Sequence, residues 1–273
     1  MKVAVVQMNS TPDVLANVAK ACGWIDRAAA EYDAELVVLP EFFNTIYFAQ
    51  YRDARHYALA EVESGPTMTE IRECARRNGT NVIATIYEAA GPGLYFDTAM
   101  HIDGAGEIRF KYRKVHPSAV LSLEKIYFRY GTRFATFRLG EWRTGIGICY
   151  DMAFPETARS LMVNGAELLV APYATSRIAM FQEMLRTRAF ENGCFLAAAN
   201  KVGRDGDWVF GGGSLIVDPT GVILATADTS TEMIVAADIT HDAVVAARIR
   251  FPTRRDRRPD LYRSLVAEVD EIT

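Results

Sequence analysis

Residues 35–40 read Glu35-Leu36-Val37-Val38-Leu39-Pro40, a run apolar at successive positions and stopped by proline. A strand without polar alternation buries both faces, so its sheet needs a packed layer on each side. Residues 167–171 repeat the pattern as Glu167-Leu168-Leu169-Val170-Ala171. Helical patterns alternate with such runs. Val14, Val18, Ala21, Ile25 and Ala28 recur at helical spacing over 13–33, and further helices are expected at 67–78, 154–164 and 178–192. Strands are expected at 2–8, 81–87, 134–139, 144–149, 194–199, 214–217, 222–225 and 232–238. A hairpin over 95–103 and 107–113 turns at Gly104-Ala105-Gly106. The sum is an α/β chain with helices packed outside mixed sheets.

Charge and composition narrow the function classes. Thirty Lys+Arg against 34 Asp+Glu give a formal net charge of −4, and half of the 273 residues are hydrophobic. That balance excludes a disordered chain and carries no nucleic-acid signature. No apolar run reaches membrane-spanning length, and Gln7 and Asn9 interrupt the first strand before it becomes a signal segment. With no linker-like stretch, one domain over 1–273 is expected. Its arm, from about residue 248 onward, is rich in arginine, and Pro252, Pro259 and Tyr262 suit docking on its own or a neighbouring subunit. Cys22, Cys74, Cys149 and Cys194 form no CxxC pair, so a reduced, cytoplasmic protein is expected, with any special cysteine a nucleophile.

Three reactive residues fall at strand ends. Glu41 follows the buried run and Pro40, Lys114 follows Ile108–Arg113, and Cys149 follows Gly145-Ile146-Gly147-Ile148. Carboxyl ends of strands are where side chains converge on ligands in open α/β sheets. Singly, each residue has an ordinary role: a small buried hydrophobe, a helix cap, a solvated lysine. Together they are the parts of a covalent hydrolase. Glu41 takes the thiol proton and returns it to the leaving amine; Lys114 lowers the thiol pKa and steadies the oxyanion. The backbone N–H of Tyr150 is a natural second oxyanion donor. A cysteine–histidine pair is the competing arrangement, drawing on His56, His101, His116 or His241.

The local contexts resemble the nitrilase superfamily of carbon–nitrogen hydrolases. They are Leu39-Pro40-Glu41, Tyr112-Arg113-Lys114-Val115-His116, Leu123-Glu124-Lys125 and Gly147-Ile148-Cys149-Tyr150-Asp151, with Arg188-Ala189-Phe190-Glu191-Asn192, Ala199-Asn200-Lys201-Val202-Gly203 and Asp218-Pro219-Thr220-Gly221. They span nearly the whole chain in order. The resemblance implies a four-layer αββα sandwich, Cys149 as nucleophile, Glu41 as base, Lys114 as oxyanion stabiliser and Glu124 positioning the lysine. It also implies a homodimer, a structural His116, and neither metal nor organic cofactor. The chain departs from the pattern in the run Asp151-Met152-Ala153-Phe154, where an arginine often follows the aspartate, and at Tyr130-Gly131, where Pro-Gly is usual.

The substrate is then a small molecule with an uncharged carbon–nitrogen group: a linear amide, an N-carbamoyl (ureido) group or a nitrile. Arg177, just past a strand end, is a candidate carboxylate anchor. Tyr47, Phe48, Tyr150, Phe154 and Tyr173 are candidates for the pocket wall. The alternatives are a nitrilase and a scaffold of the same fold without catalysis.

Overall fold

The computed structural model describes residues 1–267. Its first sheet contains β1 (Lys2–Gln7), β2 (Leu36–Val38), β3 (Asn81–Gly91), β4 (Leu94–Ile102), β5 (Ile108–Arg113) and the late strand β14 (Met233–Asp238), in the order β14-β1-β2-β3-β4-β5. The second contains β6 (Thr136–Leu139), β7 (Trp142–Ile146), β8 (Leu168–Tyr173), β9 (Phe195–Asn200), β12 (Leu215–Val217) and β13 (Ile223–Thr226), ordered β13-β12-β9-β8-β7-β6. A hairpin of β10 (Val202–Asp205) and β11 (Trp208–Gly211) stands apart. In each sheet three central strands are parallel and the flanking strands antiparallel.

The period of two along β1 explains the layering. Val3 and Val5 face the second sheet, whereas Ala4 and Val6 face α1 (Val14–Tyr32) and α2 (Pro66–Asn78). On the far side, α4 (Pro155–Val163) and α5 (Ile178–Asn192) cover the second sheet through Leu161, Leu185 and Ala189. Each fully buried Val, Leu or Ile contributes about 1.5–3 kcal/mol, so the doubly buried strands carry much of the fold's stability. This is the expected αββα sandwich.

Caps mark the helix ends that composition suggested. The Asp13 carboxylate accepts a hydrogen bond from Ala16 N at the start of α1, and Gly79, at φ 62°, closes α2. Cys22 on α1 and Cys74 on α2 are paired in a disulfide, with their Cα atoms 5.9 Å apart. The expectation that all four cysteines are reduced is therefore corrected: helices crossing in the outer layer bring two residues 52 apart into bonding geometry. The cysteine argument for a cytoplasmic location goes with it. Among the described residues no helix is long and apolar enough to cross a membrane.

Three other expectations change. The strand expected at 144–149 ends at Ile146, because Gly147 and Ile148 leave the sheet toward a 3-10 turn at Cys149–Ala153. The β10–β11 hairpin lies where no strand is expected. The tail begins not as an extended arm but as α6 (His241–Arg250), capped by the Thr240 hydroxyl and followed by the short α7 (Thr253–Asp256). Among the described residues, the start of the arm packs on the body of its own chain. Arg248 donates to Gly193 O and Ala166 O, Thr253 Oγ1 donates to Glu191 O, and Phe251 stacks on Phe190 at 4.8 Å. The last part of the arm, 268–273, lies outside the described residues.

Candidate active site

Pairing of β4 with β5 places one half of the site. Thr98 pairs with Arg113, so the next step of the ladder sets Asp97 opposite Lys114, whose N–H donates to Asp97 O at 2.9 Å. Directly opposed residues share a face, and the neighbouring pair Ala99 and Tyr112 points into the core between the sheets. Lys114 therefore runs inward. Its Nζ lies 2.6 Å from Glu41 Oε1, 2.7 Å from Glu124 Oε2 and 3.3 Å from Asp97 Oδ2, with all four side chains fully or almost fully buried. Close packing supports this geometry: Gly131 N donates to Lys114 O at 2.7 Å, and a Cβ on Gly131 would overlap the Arg113 carbonyl.

Glu41 leaves β2 on a constrained turn. Phe42 follows at φ 54°, and its carbonyl and that of Thr45 accept from the buried Lys201 Nζ, itself paired with Asp205. Glu124 sits on the one-turn helix α3 (Glu124–Tyr127). The Tyr47 hydroxyl donates to Glu124 Oε1 at 2.8 Å, and Ser118 N donates to Oε2 at 2.8 Å. With Lys114, these donors satisfy both carboxylate oxygens of Glu124.

Cys149 adopts φ 45°, a left-handed conformation costly for a residue with a side chain. Asp151 fastens the turn. It accepts from Ile148 N at 3.0 Å and Tyr112 Oη at 2.7 Å on one oxygen, and from His116 N at 2.9 Å on the other. His116 Nδ1 also lies 2.8 Å from Asp151, and its ring stacks on Phe154 at 4.0 Å. The histidine is a brace between the lysine segment and the cysteine turn. Of the other candidates, His101 contacts Asn81, His241 stacks on Trp142, and His56 packs on Phe48. None of the four lines the cavity.

That cavity holds about 700 Å³, and Cys149, Glu124, Tyr47, Ala174 and Tyr150 are among its lining residues. Tyr150 occupies the first turn of the 3-10 segment, where N–H groups have no helical partner. Arg177 lines the cavity too, and hydrophobic Val120, Leu121, Met180, Met184, Trp208 and Val209 complete its walls. Three wall candidates lie elsewhere. Phe154 packs on His116, and Tyr173 is fully buried, stacked on Phe181 of α5. Phe48 belongs to the aromatic cluster around Tyr87 and Phe128.

Electrostatics refine the expected roles. Burial would release the Lys114 proton, but Glu124, Glu41 and Asp97 hold its pKa well above the ordinary lysine value. Burial pushes the Glu41 carboxyl well up; Lys114 opposes this, while Asp97 and Glu124 reinforce it. Burial also pushes the Cys149 thiol well up, reinforced by Glu41 and only partly opposed by Lys114. Lys114 lowers the thiol's proton affinity, as expected, but desolvation by burial outweighs it. Glu41, Asp97 and Glu124 have carboxylate oxygens within 4.8 Å of one another, a spacing suited to a metal ion, but the Lys114 ammonium contacts all three.

The model of the carbon–nitrogen hydrolase family matches residues 2–249. This chain belongs to the carbon–nitrogen hydrolase family. It is 31% identical to an N-carbamoylputrescine amidase of Solanum tuberosum, covering 97% of this chain and 94% of the relative. It is 32% identical to the omega-amidase NIT2 of Homo sapiens, covering 96% of each. The fold matches a carbon–nitrogen hydrolase from Helicobacter pylori G27 with a TM-score of 0.93 at 26% identity, over 98% of both chains. A mutant of the amidase from Nesterenkonia sp. AN1, showing Michael addition of acrylamide at its active site cysteine, matches with a TM-score of 0.82 at 27% identity, over 97% of this chain and 99% of that one. The resemblance to the nitrilase superfamily read from the motifs is thereby shown for the whole family domain. Within this carbon–nitrogen hydrolase, sequence reasoning passed over Asp97, Asp151 and Ser118. For Asp97 there was a signal: one acid inside the otherwise mostly apolar strand Leu94–Ile102.

Proposed function

We propose that this hydrolase cleaves a linear amide or N-carbamoyl group through a thioester on Cys149, releasing ammonia. The observation that carries the reading is a buried thiol at a cavity floor beside an interlocked Glu41–Lys114–Glu124 cluster that perturbs it. Glu41 takes the Sγ proton as sulfur attacks the carbonyl carbon. Lys114 and the Tyr150 N–H stabilise the developing oxyanion. Glu41 then passes the proton to the departing nitrogen, the C–N bond breaks, and ammonia leaves. Water, deprotonated by Glu41, attacks the thioester; the acid departs and sulfur regains its proton.

Ammonia release across amides, ureido acids and nitriles, with Cys149→Ser as the blank, tests the class. Turnover of amides or ureido compounds supports it. Acid formed from a nitrile but not from the matching amide makes the enzyme a nitrilase, and no turnover of any of them leaves the scaffold reading.

The walls bear on the acyl part. Arg177 is exposed and is the one cationic side chain among the described residues that line the cavity. It forms no ion pair within the described residues, so its guanidinium is open to an incoming carboxylate. Arg177→Ala is expected to raise KM for carboxylate-bearing amides about tenfold, the loss of one charge-assisted contact, while neutral amides respond little. Equal KM for acidic amides in both proteins would remove Arg177 from the site.

A further inference from the structure

We propose that Asp97 is a positioning residue for the reaction: its buried negative charge raises the proton affinity of Glu41 enough for that carboxylate to deprotonate the thiol. The inference rests on the reading above that Glu41 is the general base.

The charge balance motivates it. A carboxylate 2.6 Å from an ammonium, as Glu41 is from Lys114, ordinarily binds a proton weakly and is a poor base for a thiol. Glu124 offsets the lysine charge, and its own oxygens are satisfied by Lys114, Tyr47 and Ser118. Asp97 is a third carboxylate against that single ammonium. It lies at the longest distance of the three, 3.3 Å, and its Oδ2, like Glu41 Oε2, has no hydrogen-bond partner. A third acid adds least of the three to holding the lysine, and its desolvation cost is only partly compensated. What it supplies is a negative field on Glu41. Burial first, then Asp97 and Glu124, push Glu41 up, and Asp97 itself is raised to about 6, which leaves it charged at neutral pH. The other charged or titratable groups facing Glu41 are Lys114 just after β5, Cys149 after β7, Tyr47 on the loop beyond β2, and Lys201 between β9 and β10.

Asp97→Asn keeps the shape and removes the charge. With the nearby anion gone, Glu41 loses protons at lower pH. The acid limb of the kcat/KM profile for ammonia release is therefore expected to move down by about one pH unit, and the plateau to fall about tenfold because the base is weaker. A role confined to packing would lower activity without moving the limb. A limb that stays in place, or moves up, overturns the proposal. Thermal melting reports whether the variant is folded, and Asp97→Ser, smaller and equally uncharged, is read by the same criterion if it is not. Glu41→Gln separates the two claims. If it turns over like the wild type, the base assignment fails whatever Asp97 does; if it is inactive and the Asp97→Asn limb is unmoved, only the present inference falls.

Discussion

Cys149→Ser is expected to lower kcat/KM for ammonia release by roughly four orders of magnitude or more, as loss of a covalent nucleophile does elsewhere. The argument is one of proton affinity. A buried thiol is already pushed up, and a serine hydroxyl at the same place holds its proton far more tightly than sulfur. Glu41, even raised by burial and by Asp97, is matched to a thiol and not to an alcohol. The substitution removes no packing volume of consequence, so melting should shift by less than about 1 kcal/mol equivalent. Mass spectrometry of the wild-type enzyme with a slow substrate should find the acyl group on the peptide containing Cys149 and nowhere in the variant. Ammonia release that persists in Cys149→Ser would remove the thioester from the mechanism.

The second large effect concerns Lys114→Met. Methionine fills a similar volume but leaves Glu41, Asp97 and Glu124 buried around an uncharged side chain. Breaking a buried ion pair by removing one partner costs about 3–5 kcal/mol. Three acids share this cation, so the upper end is expected, with Tm lower by on the order of 10 °C in a chain of this size. Activity should vanish with the oxyanion donor. The loss of stability is also pH-dependent in a definite direction. In the variant the buried carboxyls bind protons more tightly than in the unfolded chain. Their contribution is therefore favourable at acid pH and declines as pH rises from the unfolded value near 4 toward the raised folded one. The Tm deficit should accordingly be small near pH 5 and large at pH 8. A deficit that does not grow with pH would mean that the three acids are not held as a buried group around the lysine.

How much of this was legible beforehand varied by residue. Glu41, Lys114 and Cys149 stood out because each follows a run whose period marks a strand, and a strand end aims its next residues at one place. Glu124 was reachable only through the resemblance, since four residues of helix leave little local pattern. Phe154 and Tyr173 were assigned to the wall from residue type; their direction depends on which face of an element points inward, and one step along the chain reverses it. The Cys22–Cys74 pair was missed because its partners sit on separate helices whose crossing no local signal records. The hairpin Val202–Gly211 and the helix His241–Arg250 were missed because short or weakly amphipathic segments resemble loop.

What the order of amino acids determined unaided was most of the strands and helices, the layered α/β class and the chemical types at three strand ends, since these follow from period and from the residues that stop each run. The tertiary structure alone decided the ionisation of the cluster. Whether the sulfur rests as thiol or thiolate, and how strongly Glu41 binds a proton, depend on the removal of water by the second sheet. They depend equally on a strand register that sets Asp97 beside Lys114. Desolvation and charge separation are properties of distance in space, and distance along the chain does not encode them.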